Sequence, residues 1–245
     1  LVQMYGLCES LEDAKAVFDG IVNKDKFSWM FIISAFTKKG QGKVALHLFN
    51  QMKLAEEFSI DKHIFTSLLS ACAGMVDKAQ GMYVHECIVK DEVEEDIFIG
   101  TALIHMYAKC GQLNKARKVF EELPERNVVT WNALIGGYSH NGLGHEALKC
   151  FGLMQKEGFR PTEVTFLCML NACGNVRDID TGEQIHDEIV TRGLFEKNLM
   201  LGNALVDMYA RCGMLRKARE VLEHLSIQDI VSWNLLRVCE AWTGL

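Results

Sequence analysis

Proline is almost missing from this chain, with 2 in 245 residues. Proline punctuates turns and removes a backbone donor, so its scarcity argues against a turn-rich β-sandwich and suits a chain that is mostly helix. No run approaches the 18 apolar residues that a membrane span needs. No Cys-x-x-Cys occurs, so the 9 cysteines offer no zinc spacing, and they are too sparse for a disulfide-stapled miniprotein. An excess of positive charge is lacking as well. The 26 basic and 32 acidic residues leave a net −6, which excludes a uniformly basic nucleic-acid coat and requires any polyanion to meet a local basic stripe. No signal or transit peptide opens the chain, and residues 1–5 read as the interior of a helix, as expected of a segment of something longer. Apolar residues, by contrast, make up 49%, enough for a sizeable core and too many for a disordered chain.

The strongest signal is a ladder with a period of 102 residues. Trp29, Trp131 and Trp233 stand on it, as do Tyr5, Tyr107 and Tyr209, and Cys8, Cys110 and Cys212. The phrase ALIHMYAKCGQLNKARKVF (102–120) returns as ALVDMYARCGMLRKAREVL (204–222) and more weakly as LVQMYGLCESLEDAKAVF (1–18). TWNALIGGY (130–138) answers SWMFIISAF (28–36), and FTSLLSACAGM (65–75) answers FLCMLNACGNV (166–176). Each block splits into three unequal units. Short units run 97–127 and 199–229, a second kind 26–61 and 128–162, and a third kind 62–96 and 163–198, with partial units at 1–25 and 230–245. Units of this size fit one helical hairpin each.

Within unit 128–162, Trp131, Leu134, Ile135 and Tyr138 predict a helix over 129–140. Asn141, Gly142 and Gly144 then predict a turn, and Ala147, Leu148, Phe151 and Met154 a second helix over 144–157. An alanine recurs four residues before a large apolar side chain: Ala14–Phe18, Ala45–Phe49, Ala116–Phe120, Ala147–Phe151 and Ala218–Leu222. The small residue admits a neighbouring helix and the large one fills the gap a turn later. One hairpin cannot bury its apolar stripe, whereas a stack can. The expectation is an all-α, right-handed α-solenoid with no internal domain boundary.

The phrase NVVTWNALIGGYSHNGLGHEALKCFGLMQKEGFRPT (127–162) resembles a pentatricopeptide repeat. The rotation of short, standard and long units, with LGNALVDMYARCGMLRKAREV in the short ones and SACAG and NACGN in the long ones, resembles the plant PLS subclass, and the likeness covers essentially the whole chain. The uniform 34-residue period of a tetratricopeptide array is absent. The resemblance implies sequence-specific binding of single-stranded RNA, one base per repeat, read by the fifth and last residues of each motif. It further implies a plant organelle, mitochondrion or chloroplast, and the specification of C-to-U editing sites. It implies no cofactor and no catalytic residue in this segment, because the metal-site arrangement of the family's deaminase, a His-x-Glu joined by a Cys-x-x-Cys, is absent: no Cys-x-x-Cys occurs.

Carried onto this sequence, Thr101 with Asn127 implies A, Asn203 with Asp229 implies U, and Asn132 with Thr162 implies a pyrimidine with little discrimination. The chemistry behind the last position is that a carboxylate suits the ring N–H of U and G, whereas an amide donor suits the ring acceptors of A and C. Asn234 keeps the fifth place of the partial last motif. Met30 with Asp61 and Leu167 with Asn198 depart from the code, and Thr66 with Asp96 would spell G in a standard motif, although long motifs often do not follow the rule. Second-position residues Phe98, Val129, Val164, Met200 and Val231 are the implied wedges between bases, the aliphatic ones worth less than the roughly 1–3 kcal/mol of an aromatic platform. Lys38, Lys109 and Arg211 lie eight residues past a reading position, back near the same helical face, and are expected to meet phosphate. His140 holds that place in 128–162.

Plainer roles compete. Thr101, Asn132 and Asn203 could be helix N-caps, and Lys109 and Arg211 ordinary cations at helix C-termini. The repeated cysteines read as small packing residues, and His85 and His186 as packing or polar-contact groups. Gly40-x-Gly42 and Gly142-x-Gly144 mimic a dinucleotide fingerprint but follow no strand, so they read as turns. Asp91 to Asp96 read as a solvated acidic loop. At the level of the chain, the rival is a protein-interaction solenoid, favoured by the net charge. In the family the long motifs dock multiple organellar RNA editing factor proteins, and both roles can coexist. An RNA-processing enzyme is a third possibility for which no acidic or His/Cys cluster is found.

Overall fold

The computed structural model describes residues 10–54, 60–195 and 198–225. Among the described residues there are thirteen α-helices and no strand. They fall into two compact units, 1–126 and 127–245.

The first unit holds α1 (Leu11–Asp19), α2 (Lys26–Lys38), α3 (Gly42–Leu54), α4 (Lys62–Met75), α5 (Lys78–Lys90), α6 (Ile97–Lys109) and α7 (Leu113–Glu122). Helices α2, α4 and α6 open the hairpins and pack side by side, α2 on α4 and α4 on α6. Helices α3, α5 and α7 return antiparallel, each against its own partner. The second unit repeats the plan with α8 (Val128–His140), α9 (Gly144–Lys156), α10 (Glu163–Val176), α11 (Ile179–Thr191), α12 (Leu199–Arg211) and α13 (Leu215–His224). There α8, α10 and α12 form the row of opening helices. The helices expected over 129–140 and 144–157 are thus α8 and α9, displaced by one residue at an end.

Helix starts are written in short polar side chains. Asp25, Asp77 and Asp178 accept from backbone N–H groups of Ser28, Gln80 and Thr181, satisfying donors that the first turn leaves unpaired. The hairpin turn of α8 and α9 bends at Gly142, whose φ of 77° suits glycine. The Gly-x-Gly phrases are therefore turns, as read.

The stripe of small and large residues is the core. Ala14, Ala45, Ala116, Ala147 and Ala218 are buried, and so are Phe18, Phe49, Phe120, Phe151 and Leu222. Phe18 meets Trp29 edge-on at 4.8 Å, and Phe49 meets Phe65 of the next opening helix at 6.2 Å. Each such side chain contributes about 1.5–3 kcal/mol by leaving water. These contacts join one hairpin to the next, which makes stacking the source of stability. Cys72 and Cys173 are buried in the same layer and Cys110 and Cys212 are half-buried, with burial pushing the Cys72 and Cys173 thiols up to about 12. They are packing residues.

Candidate nucleic-acid interface

Among the described residues, the last residue of a motif is the N-cap of the next opening helix. Asp61 accepts from His63 N at 2.8 Å, Asp96 from Phe98 N at 2.8 Å, and Asn127 from Val129 N at 2.9 Å. Asn198 does the same with Met200 N at 3.0 Å, and Thr162 stands at the cap of α10. This corrects the capping alternative for Thr101, Asn132 and Asn203. Each helix starts with the motif's first residue, so a fifth residue lies beyond the four unpaired N–H groups of the first turn. Thr101 instead donates its hydroxyl to Ile97 O at 2.6 Å. The acidic run 91–96 forms the loop before α6, as read, and its last residue, Asp96, caps that helix.

One of the expected reading pairs, Asn132 with Thr162, comes together between neighbouring opening helices. Asn132 Nδ2 on α8 donates to Thr162 Oγ1 at 3.1 Å. Thr165, fully buried one turn into α10, donates its hydroxyl to Asn132 Oδ1 at 2.7 Å. With that proton committed, the 3.1 Å contact between the two threonine oxygens has Thr162 as donor. The three groups close a ring in which each donates once. The ring leaves one Asn132 N–H uncommitted beside the Thr162 hydroxyl, which also takes part in the capping box of α10. Val129, three residues before Asn132 on the same face, and Val164, two after Thr162, stand exposed beside the pair.

The PPR repeat family model matches residues 126–175, and the PPR repeat model matches 27–55, 101–128, 164–194 and 203–226. The chain belongs to the PPR repeat family. This PPR chain is 36% identical over 240 residues to a chloroplastic pentatricopeptide repeat-containing protein of Arabidopsis thaliana, covering 96% of the chain and 38% of that relative. It is 36% identical over 245 residues to a putative mitochondrial pentatricopeptide repeat-containing protein of the same plant, covering 100% of the chain and 39% of the relative. The PPR chain thus spans about two-fifths of the length of these curated relatives. In fold it is similar to PPR10 in complex with an 18-nt psaJ RNA element, at a TM-score of 0.64 and 19% identity, covering 100% of this chain and 47% of that one. The all-α helical-repeat solenoid is the shared architecture.

Along the PPR repeats the second positions behave alike. Phe98, Val129, Val164 and Met200 are between 53% and 67% exposed, unlike the rest of their apolar stripe. Phe27 joins them at 52% and was missed by the sequence reading, although it too is the second residue of its motif. The ammonium groups of Lys26 and Lys62 lie 5.2 Å and 5.1 Å over the rings of Phe27 and Phe98. Thr101 belongs to the first unit and Asn127 to the second, and Asn203 is half-buried on α12. Asp229, Val231 and Asn234, like Tyr5, Cys8 and Trp233, lie outside the described residues.

Lys38 and Lys109 are exposed in the last turns of α2 and α6. Arg211, in the last turn of α12, reaches across to α10, where Nη1 donates to Asn175 Oδ1 at 2.8 Å and Asn171 Oδ1 at 3.2 Å while Nη2 pairs with Asp207 at 2.9 Å. His140 Nδ1 lies 2.7 Å from Gly136 O within its own helix.

His85 and His186 make the polar contacts expected of them. Their Nδ1 atoms share hydrogen bonds with Tyr107 Oη (2.7 Å) and Tyr209 Oη (2.8 Å). Burial lowers both histidine pKa values and raises both tyrosines to about 12. Beside each pair opens a cavity of about 450 Å³, walled by Met82, Val89 and Lys115 in one unit and by Val190, Phe195 and Lys217 in the other. Among the described residues no group of three or more His, Cys, Asp or Glu side chains is placed to hold a metal ion, and no helix is long and apolar enough to cross a membrane.

Proposed function

We propose that this chain binds single-stranded RNA in a sequence-specific way, one base per repeat, as a PLS-class segment that specifies C-to-U editing sites in a chloroplast or mitochondrion. The observation that carries the reading is the Asn132–Thr162 pair, held 3.1 Å apart between exposed apolar side chains. A donor and an acceptor fixed next to one another meet a base edge without rearrangement, and the flanking Val129 and Val164 pack on its faces. By the chemistry of their side chains alone, Thr101 with Asn127 is assigned A and Asn203 with Asp229 is assigned U, with Asn234 as a further reader and Val231 as a further wedge. Phe27 is added to the wedges Phe98, Val129, Val164 and Met200. Lys38, Lys109 and Arg211 meet phosphate. The PPR10 structure, which contains an 18-nt RNA element, supports RNA as the ligand of such an array, and the organelle follows the chloroplastic and mitochondrial relatives.

The test is selection of bound RNAs from a random pool, followed by base swaps at single positions. Thr101→Asn, with Asn127 unchanged, is expected to move the preference at its nucleotide from A toward C. Asn203→Thr, with Asp229 unchanged, moves it from U toward G. Unchanged preference in both variants refutes the reading.

A second function is supported by the two matching cavities beside His85–Tyr107 and His186–Tyr209, where Val89 and Val190 remain half-exposed on the return helices of the long motifs. These surfaces dock a multiple organellar RNA editing factor protein. Addition of that protein is expected to raise RNA affinity, and Val89→Glu with Val190→Glu to abolish the gain while leaving RNA binding alone unchanged.

A further inference from the structure

In both long motifs the side chain that opens the motif holds the side chain that closes it. Lys62, the first residue of α4, donates from Nζ to Asp96 Oδ2 at 3.2 Å. The equivalent pair in the second unit has the opposite polarity: Asn198 Nδ2 donates to Glu163 Oε2 at 2.6 Å, and Glu163 is the first residue of α10. The closing residue is at the same time a cap. Asp96 Oδ1 accepts from Phe98 N and Ile99 N at 2.8 and 3.2 Å, and Asn198 Oδ1 accepts from Met200 N and Leu201 N at 3.0 and 3.3 Å. One oxygen therefore serves the helix, and the remaining polar atom is turned onto the opening residue, through Oδ2 in Asp96 and through one N–H of Nδ2 in Asn198. The standard motif 128–162 differs at this point. It opens with Val128, which has no polar group, and its closing Thr162 is bonded to the reading partner Asn132.

We propose that Lys62 and Glu163 are specificity-determining residues that occupy the base-facing group of the closing side chain, so that the long motifs pass over their nucleotides without reading them. The inference rests on the reading proposed above, and it adds a reason why Thr66 with Asp96, a pair that would spell G elsewhere, stays silent. Partial burial acts to raise the Asp96 pKa, but the bonds from Ile99, Lys62 and Phe98 outweigh it and hold the carboxyl below the ordinary 3.8. Asp96 is thus charged and paired at neutral pH. Lys62 is also steadied by the Phe98 ring 5.1 Å away. Its side chain is 46% exposed, so the pair is of the modest kind that a competing group can displace once the cation is removed.

The experiment measures the 245-residue chain binding to four RNAs that differ only at the nucleotide facing motif 62–96. Lys62→Met keeps the aliphatic stem and removes the ammonium. It is expected to create a preference for G of up to about fivefold, the fold-change corresponding to an exposed pair. The general electrostatic loss falls on all four RNAs alike, so the ratio between them is the readout. Lys62→Arg keeps the motif silent. In the second unit, Leu167→Thr alone stays silent, and Leu167→Thr with Glu163→Ala prefers A through the released Asn198. Thr101→Asn is measured in parallel. A preference that moves in Thr101→Asn but not in Lys62→Met or the double variant overturns the occlusion and leaves the reading standing. A preference that moves in none of them overturns both.

Discussion

Helix α9 carries two glycines with opposite surroundings, and substituting each by alanine should give effects of opposite sign. A Cβ on Gly152 meets nothing within 4 Å, so Gly152→Ala collects only the helix-propensity gain of about 1 kcal/mol. A Cβ on Gly144 lies 2.6 Å from Val176 Cγ1 and 2.7 Å from the backbone oxygen of Ala172. The valine tip can turn, but the carbonyl cannot move without the end of α10. Overpacking of this kind costs about 1–3 kcal/mol, and the propensity gain is smaller at a first helical position. Gly182→Ala falls between them, because its 2.6 Å clash is with Met208 Sδ, the yielding end of an unbranched side chain. For a chain of this size 1 kcal/mol moves Tm by about 2–4 °C. Gly152→Ala should melt about 2–4 °C higher than the parent and Gly144→Ala lower by up to about 12 °C, with Gly182→Ala between. Urea and thermal unfolding followed by circular dichroism at 222 nm measure this order. A Gly144→Ala variant as stable as Gly152→Ala would refute the close packing of α9 on α10. The consequence reaches the candidate interface, since α10 is capped by Thr162 and carries Thr165.

Two further outcomes are expected. Lys109→Ala should weaken binding to all RNAs about equally and flatten the log–log salt slope by about one unit in a filter-binding series, whereas a loss confined to some sequences would refute a phosphate contact. Burial lowers the pKa of His85 and His186 in the folded chain, so below the ordinary 6.5 the unfolded chain takes up their protons first. Their contribution is complete above that value and is lost as the pH falls through the folded pKa values. Melting at pH 7.5 and 5.5 should therefore show a drop that His85→Phe with His186→Phe makes smaller, and an equal drop in the double variant would refute the burial argument.

Helix identity, hairpin order and the buried stripe were legible in the chain because they are local. A 3.6-residue period, an Ala four residues before a Phe, and a glycine after a polar turn act within one or two turns of backbone, and the 102-residue ladder repeats them. Thr101, Asn132 and Asn203 could be placed in a row for the same reason, and the exposed second positions could be listed but for Phe27. Capping stood open as an alternative for the fifth residues, since the fifth and the last residue are both short and polar and only the start of the helix separates them.

What a closing side chain touches was settled by packing between helices. Asn132 meets Thr162 across 30 residues, Lys62 meets Asp96 across 34, and Glu163 meets Asn198 across 35. Such bonds depend on how far neighbouring opening helices slide and rotate on each other, to within a fraction of an ångström, and no periodicity within one helix encodes that offset. The same distances decide whether a donor is left uncommitted or is spent on a neighbouring side chain. The repeat pattern therefore names the row of polar groups, and the register between adjacent helices selects which of them remain open to a ligand.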